Sequence, residues 1–240
     1  MKKLLPILIA LTCYFTAFAQ EKKFELGAEG GICFSFLRGS IYINKESGLI
    51  SPVISIFFQY NYKENISFKI PLTYSILGSS NQFVAIDRFA PTRYFEGPRK
   101  FRYLTVPCLF HYNSAKKINS FFNAGPFISF LISEVAGYNY NLTGANSELK
   151  GTDFYQRVNA GISFGGGISC SIKKKISFSL EIRNDLGLIN VLCTNLPIDY
   201  EKNWLYGSPV KTNATNFLLG FAYHFIKRKD ELRSNSSFKI

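Results

Sequence analysis

Two histidines, His111 and His224, are all that the 240 residues contain. No cysteine pair has the C-x-x-C spacing, so a zinc site has no usual ligand set to draw on and no metal or cofactor is expected. No G-x-S-x-G turn is present to raise a nucleophilic serine. Gly165-Gly166-Gly167 is followed by neither G-K-[ST] nor a helix signal, which speaks against a phosphate loop. Beyond residue 19 the apolar runs last only a few residues, too short for a transmembrane helix of about 20. If the chain crosses a membrane it does so with strands, since only helices and closed barrels satisfy their own backbone there.

The first residues set the compartment. Lys2 and Lys3 precede an apolar run from Leu4 to Phe18 that closes on Ala17-Phe18-Ala19, the order of a secretory signal peptide. Residues 1–19 are expected to be removed and the mature chain to begin at Gln20. Cys13 offers a lipoprotein alternative, but Thr12 is a poor residue before the cleaved bond and apolar residues continue past it. The mature chain keeps 26 basic and 16 acidic side chains, a net charge of +10, which points to anionic partners. For an exported protein those are outer-membrane lipid headgroups and lipopolysaccharide phosphates, and nucleic acid is not expected. Of the four remaining cysteines, Cys33, Cys108, Cys170 and Cys193, the second and third fall on apolar faces, where cysteine acts as a small hydrophobe.

What is abundant is alternation. Ile66, Phe68, Ile70, Leu72, Tyr74 and Ile76 share one face of a strand, with Ser67, Lys69, Pro71, Thr73 and Ser75 on the other. Ile176, Phe178, Leu180 and Ile182 oppose Ser177, Ser179, Glu181 and Arg183 in the same way. Similar period-2 patterns cover 23–36, 52–62, 103–112, 121–132, 158–172 and 217–225, which makes eight strands. The connections alternate short (63–65, 113–119, 173–175) and long (37–49, 78–100, 133–153, 187–212). That rhythm is the one of a transmembrane barrel with tight periplasmic turns and long external loops. The expected fold is therefore all-β, an eight-stranded antiparallel up-and-down transmembrane β-barrel over residues 20–227, followed by a polar tail over 228–240, in the outer membrane.

Cost decides which face is inside. A charge on the lipid face costs about 2–4 kcal/mol at the midplane, so the polar faces point inward, and eight strands leave just enough interior for side chains to fill. A packed polar core is expected, with Glu25, Glu29 and Glu181 meeting Lys69 and Arg183 because buried charges persist only when paired. His111 and His224 also fall on inward faces. Pro71, Pro107 and Pro126 lie in consecutive strands, each deleting a ladder hydrogen bond, and local bulges are expected around them.

Tyr103-Leu-Thr-Val-Pro107 followed by Leu109, Asn123-Ala-Gly-Pro126, and the run from Gly161 through Leu180-Glu-Ile-Arg183 to Gly187-Leu188 together resemble the PorT-like outer-membrane barrels of Bacteroidota. The resemblance implies an eight-stranded barrel and, through the family's founding member, a link to secretion across the outer membrane. It implies no catalytic residues. Lys227 to Ile240 departs from the usual ending on a terminal aromatic residue.

Function is then expected in the external segments. Arg88, Arg93, Arg99 and Lys100 stand among Phe83, Phe89, Tyr94 and Phe95, an interface composition suited to lipopolysaccharide phosphate or a partner protein through charge-assisted bonds. Trp204, near Asp199, Tyr200 and Tyr206, is a candidate anchor. The expected role is a non-enzymatic interaction, assembly or secretion-accessory component, possible partners being membrane or secretion-machinery proteins. Two alternatives stand beside it. One is a barrel-embedded enzyme modifying lipid A or acyl chains, which requires His111 to reach a serine and a carboxylate. The other is a soluble lipocalin-like ligand-binding barrel, with Phe68, Ile70, Phe178 and Leu180 turned inward.

Overall fold

The computed structural model describes residues 24–39, 47–63, 65–85, 94–114, 118–140, 146–150, 155–173, 175–191 and 209–225. The expected signal peptide, Arg88, Arg93, Cys193, Trp204 and the polar tail lie outside them. The strands are β1 (Phe24–Arg38), β2 (Ser47–Lys63), β3 (Ile66–Ala85), β4 (Tyr94–Pro107), β5 (Leu109–Asn113), β6 (Ile118–Tyr140), β7 (Asn146–Lys150), β8 (Val158–Lys173), β9 (Ile176–Gly187) and β10 (Lys211–His224). Every pairing is antiparallel, successive long strands pair with each other once the short β5 and β7 are set aside, and β1 pairs with β10. The sheet thus closes into an eight-membered up-and-down ring in which β5 continues β4 after a break at Cys108, while β7 folds back on the outer end of β6.

The pleat sorts the side chains as the cost argument requires. Ile54, Ile56, Phe68, Ile70, Leu180, Ile182 and Phe217 point outward and are exposed, whereas Ser55, Ser67, Lys69, Thr73, Ser163, Glu181 and Arg183 are buried inside. A lipocalin-like barrel would reverse these faces, so that alternative fails.

Two of the three prolines have a more specific explanation than bulges, and at the third, Pro126, the register with β8 runs through without a shift. β3 pairs with β4 from Thr73↔Thr105 upward and with β5 from Lys69↔Leu109 downward, which sets Pro71 opposite Pro107 in one unbroken register. The Cys108 amide turns the other way and donates to Pro126 O at 2.9 Å. Pro71 and Pro107 therefore face each other across the same rung, and the hydrogen bonds they cannot make are the ones they would have exchanged. One local gap replaces two separate defects.

The long connections are shorter than the sequence pattern predicts. β3 has 20 residues and β6 has 23, against the 9–11 or so that span a bilayer, and the segments 78–100 and 133–153 are largely continued strand. Pattern reading misses these extensions because the polarity inverts above the membrane. There Lys100 and Arg102 face outward into water while Leu77, Phe101, Tyr103 and Leu131 face inward. A bulge between Arg102 and Tyr103 in the β4–β6 register adds one residue to β6, which flips its phase and turns Glu134 inward.

The interior accordingly has two layers, not the single polar core expected. The extracellular half is an apolar plug of Cys33, Leu37, Val53, Leu77, Phe101, Tyr103, Leu131, Tyr155, Val191, Val210, Ala214 and Leu218. The lower half is mainly polar, with Phe57, Leu109 and Phe121 buried among its charged and amide side chains.

Candidate functional site

The centre of the polar layer is a four-charge cluster built from three sides of the ring. Lys69 on β3 bonds Glu29 on β1 and reaches Glu181 Oε2 on β9 at 2.8 Å. Arg183, two residues along β9, lies 3.2 Å from Glu181 Oε1 and 3.6 Å from Glu29 Oε2. Asn123 on β6 donates to Glu181 Oε1 at 3.1 Å, and the Lys69 ammonium stands 4.5 Å over the Phe57 ring. Two cations face two carboxylates, so the cluster is neutral. Gly165 and Gly167 make room for it: a Cβ at Gly165 would come within 2.9 Å of Asn123 Oδ1, and one at Gly167 within 2.6 Å of the Phe121 ring. Those inward glycines keep the narrow interior from overfilling, as their positions in the strand suggest.

Glu25 does not join this cluster, contrary to expectation. Two pleats nearer the periplasm, it accepts a hydrogen bond from Asn61 Nδ2 at 2.5 Å and lies 3.1 Å from His224 Nδ1. With Gln59, His111, Asn113, Asn119 and several serines it lines a cavity of about 90 Å³ at the periplasmic end. His111 Nε2 is 3.0 Å from Asn113 Oδ1, and its Nδ1 is buried without a hydrogen-bond partner, as is Nε2 of His224. Among the described residues no serine is bonded to either histidine, so the Glu25–His224 pair has no triad nucleophile there.

At the outer end, Arg99 is not on the surface. It is 7% exposed, points into the barrel mouth, bonds the Tyr155 hydroxyl, stands 5.1 Å over that ring and lies 3.8 Å from Glu134. Tyr155 packs edge-on to Phe101 at 4.8 Å. The basic surface inferred from Arg88 to Lys100 therefore loses Arg99 to the plug and keeps, among the described residues, Lys100, which faces outward beside Arg102. Spacing alone could have revealed this, because Arg99 shares parity with inward Phe101 and Tyr103.

A closed eight-stranded ring with an apolar exterior band and a charged, filled interior defines the class: this is a small outer-membrane β-barrel. Residues 18–192 match the family model described as outer membrane protein beta-barrel domain, and the chain belongs to that family. Among solved structures it is similar to Neisserial surface protein A (12% identity over 84% of this chain and 96% of that one, TM-score 0.45). It is also similar to OprG of Pseudomonas aeruginosa (10%, 85% and 97%, 0.48) and Ail of Yersinia pestis (10%, 84% and 98%, 0.39). No curated protein matches it.

Proposed function

We propose that this barrel is a non-enzymatic interaction or assembly component of the outer membrane, working through its extracellular end. The observation that supports this reading most is the architecture of that end. The β3–β4 and β6–β7 extensions rise past the membrane as ordered sheet while the Arg99–Tyr155–Glu134 cluster caps an apolar plug beneath them. A plugged interior suits a platform better than a conduit. His111, bonded to Asn113 and not to a serine or carboxylate, favours this reading over an acyl-modifying enzyme. A place among the PorT-like barrels, with a secretion-accessory role, is the finer form of the proposal and rests on the motifs at Tyr103–Pro107, Asn123–Pro126 and Gly161–Leu188.

The test is crosslinking and pull-down from native membranes. Wild-type barrel should capture a defined membrane or secretion protein, and Lys100→Glu/Arg102→Glu should reduce that capture with the barrel still heat-modifiable on gels. Capture unchanged by the substitution, or loss of function in a folded His111→Gln variant, would overturn the proposal.

A further inference from the structure

The lipid-facing wall carries a second feature, on the opposite side of the backbone from the charge cluster. Along β1, β10, β9 and β8 the registers align Ile32, Phe217, Ile182 and Gly166 in one outward row. Gly30, Leu219, Leu180 and Ile168 form the next outward row toward the periplasm. Between them the row Gly31, Leu218, Glu181 and Gly167 turns its side chains inward, so only backbone floors the gap. The result is an apolar trench of about 560 Å³ across the four strands, about 14 Å long at the usual strand spacing.

Directly above the trench the outer wall turns polar on two strands only. Asn184 on β9 donates through Nδ2 to Asn213 Oδ1 and to Thr215 Oγ1 on β10, both at 2.9 Å. In the register these residues are flanked by Phe34 and Phe36 on β1 and by Phe164 and Ile162 on β8. The polar ladder leads up to Arg38 and Lys211, outward-facing and paired across β1 and β10. Arg38 Nη2 donates to Gly187 O at 2.6 Å and its Nε is buried, which leaves the outer edge of the guanidinium to face the lipid.

Height fits the pieces together. Lys211 is six residues from Phe217, about 20 Å along the strand. At a tilt of about 40° this rises about 15 Å along the membrane normal, close to half of a hydrocarbon layer about 25–30 Å thick. The cations thus stand about 15 Å above the trench along the membrane normal, with the hydrogen-bonding side chains between the two.

We propose that the outer face of β1, β10, β9 and β8 is a binding site for a phosphorylated, multiply acylated lipid of the outer leaflet. Arg38 and Lys211 hold its phosphate, the Asn184–Asn213–Thr215 ladder holds polar groups at the head of its chains, and one chain lies in the trench. The proposal rests on the outer-membrane location and not on the interaction role above. Charge complementarity selects this occupant over a second barrel, which would bring the same two cations toward its own.

The experiment is native mass spectrometry of the refolded full chain in detergent micelles. The probes are bis-phosphorylated lipid A, its dephosphorylated form and phosphatidylethanolamine. Wild type should retain bis-phosphorylated lipid A at least about ten-fold better than either other lipid, a difference of about 1.4 kcal/mol or more. Arg38→Gln/Lys211→Gln should abolish the preference for phosphate. Lys211→Glu alone gives the same readout should the loss of the Arg38–Gly187 bond impair folding. Filling the trench with Gly166→Phe, or with Ile182→Trp where the backbone is not crowded, should lower retention of phosphorylated and dephosphorylated lipid A alike. Equal retention of both lipid A forms by wild type, or full retention by the folded charge and trench variants, would overturn the proposal.

Discussion

Replacing Lys69 by methionine isolates the energetics of the interior cluster. Methionine fills a similar volume, so packing changes little. The charges change a great deal: Glu29 and Glu181, with side chains about 1% exposed, are left with Arg183 as their one cation, at 3.6 and 3.2 Å. A buried carboxylate that loses its partner typically costs about 3–5 kcal/mol, and the two acids now repel each other as well. Lys69→Met should therefore lose about 3–5 kcal/mol. Adding Glu29→Gln restores one cation to one carboxylate and should recover most of that loss, leaving the double variant within about 1–2 kcal/mol of wild type. The assay is urea unfolding of barrels refolded into lipid vesicles at neutral pH, followed by gel mobility and intrinsic fluorescence. A Lys69→Met variant within about 1 kcal/mol of wild type, or a double variant no more stable than the single one, would refute the view that the cluster holds together through charge balance.

The outer end gives a contrasting pair: Arg99→Gln should destabilise the barrel by about 1–3 kcal/mol, because it removes the charge-assisted hydrogen bond to the buried Tyr155 hydroxyl, whereas Lys100→Gln should change stability by less than about 0.5 kcal/mol. Both are read in the same urea titration. Glu134 lies next to Ser133, level with outward-facing Arg102 and so above the lipid, and burial pushes its carboxyl up from 4.5 to about 7 despite the pull of Arg99. The folded chain then binds this proton more tightly than the unfolded chain. Stability should fall as pH rises from about 4.5 to about 7 and level off above, and Glu134→Gln should flatten that part of a pH series of denaturation midpoints. An epitope inserted between Tyr140 and Asn146 should be reached by antibody on intact cells, while one at residues 173–175 should be reached only after permeabilisation; the reverse pattern would defeat the topology.

How much of this was legible beforehand varies along the chain. Where strands cross lipid, alternation names both the strands and their faces, and Lys69, Glu29, Glu181 and Arg183 could be placed together because a charge has nowhere cheaper to go than the inside. Glu25 obeyed the same parity and still went elsewhere, since parity does not say how far along the barrel axis a side chain stands. Height comes from the register between strands distant in sequence, which puts Glu25 opposite His224 and Glu29 near Arg183.

The sequence alone determined an exported all-β chain, its eight strands, their alternating short and long connections, and the inward turn of the polar faces, because each follows from local periodicity set against a lipid solvent. Tertiary structure alone decided three things. It set Pro71 against Pro107, it turned Glu134 into the mouth beside Arg99 through a single bulge in β6, and it aligned a trench on β1, β10, β9 and β8 beneath Arg38 and Lys211. The physical reason is the same in all three: these features belong to rows that run across strands, and a row exists only once inter-strand hydrogen bonding has fixed which residue stands beside which.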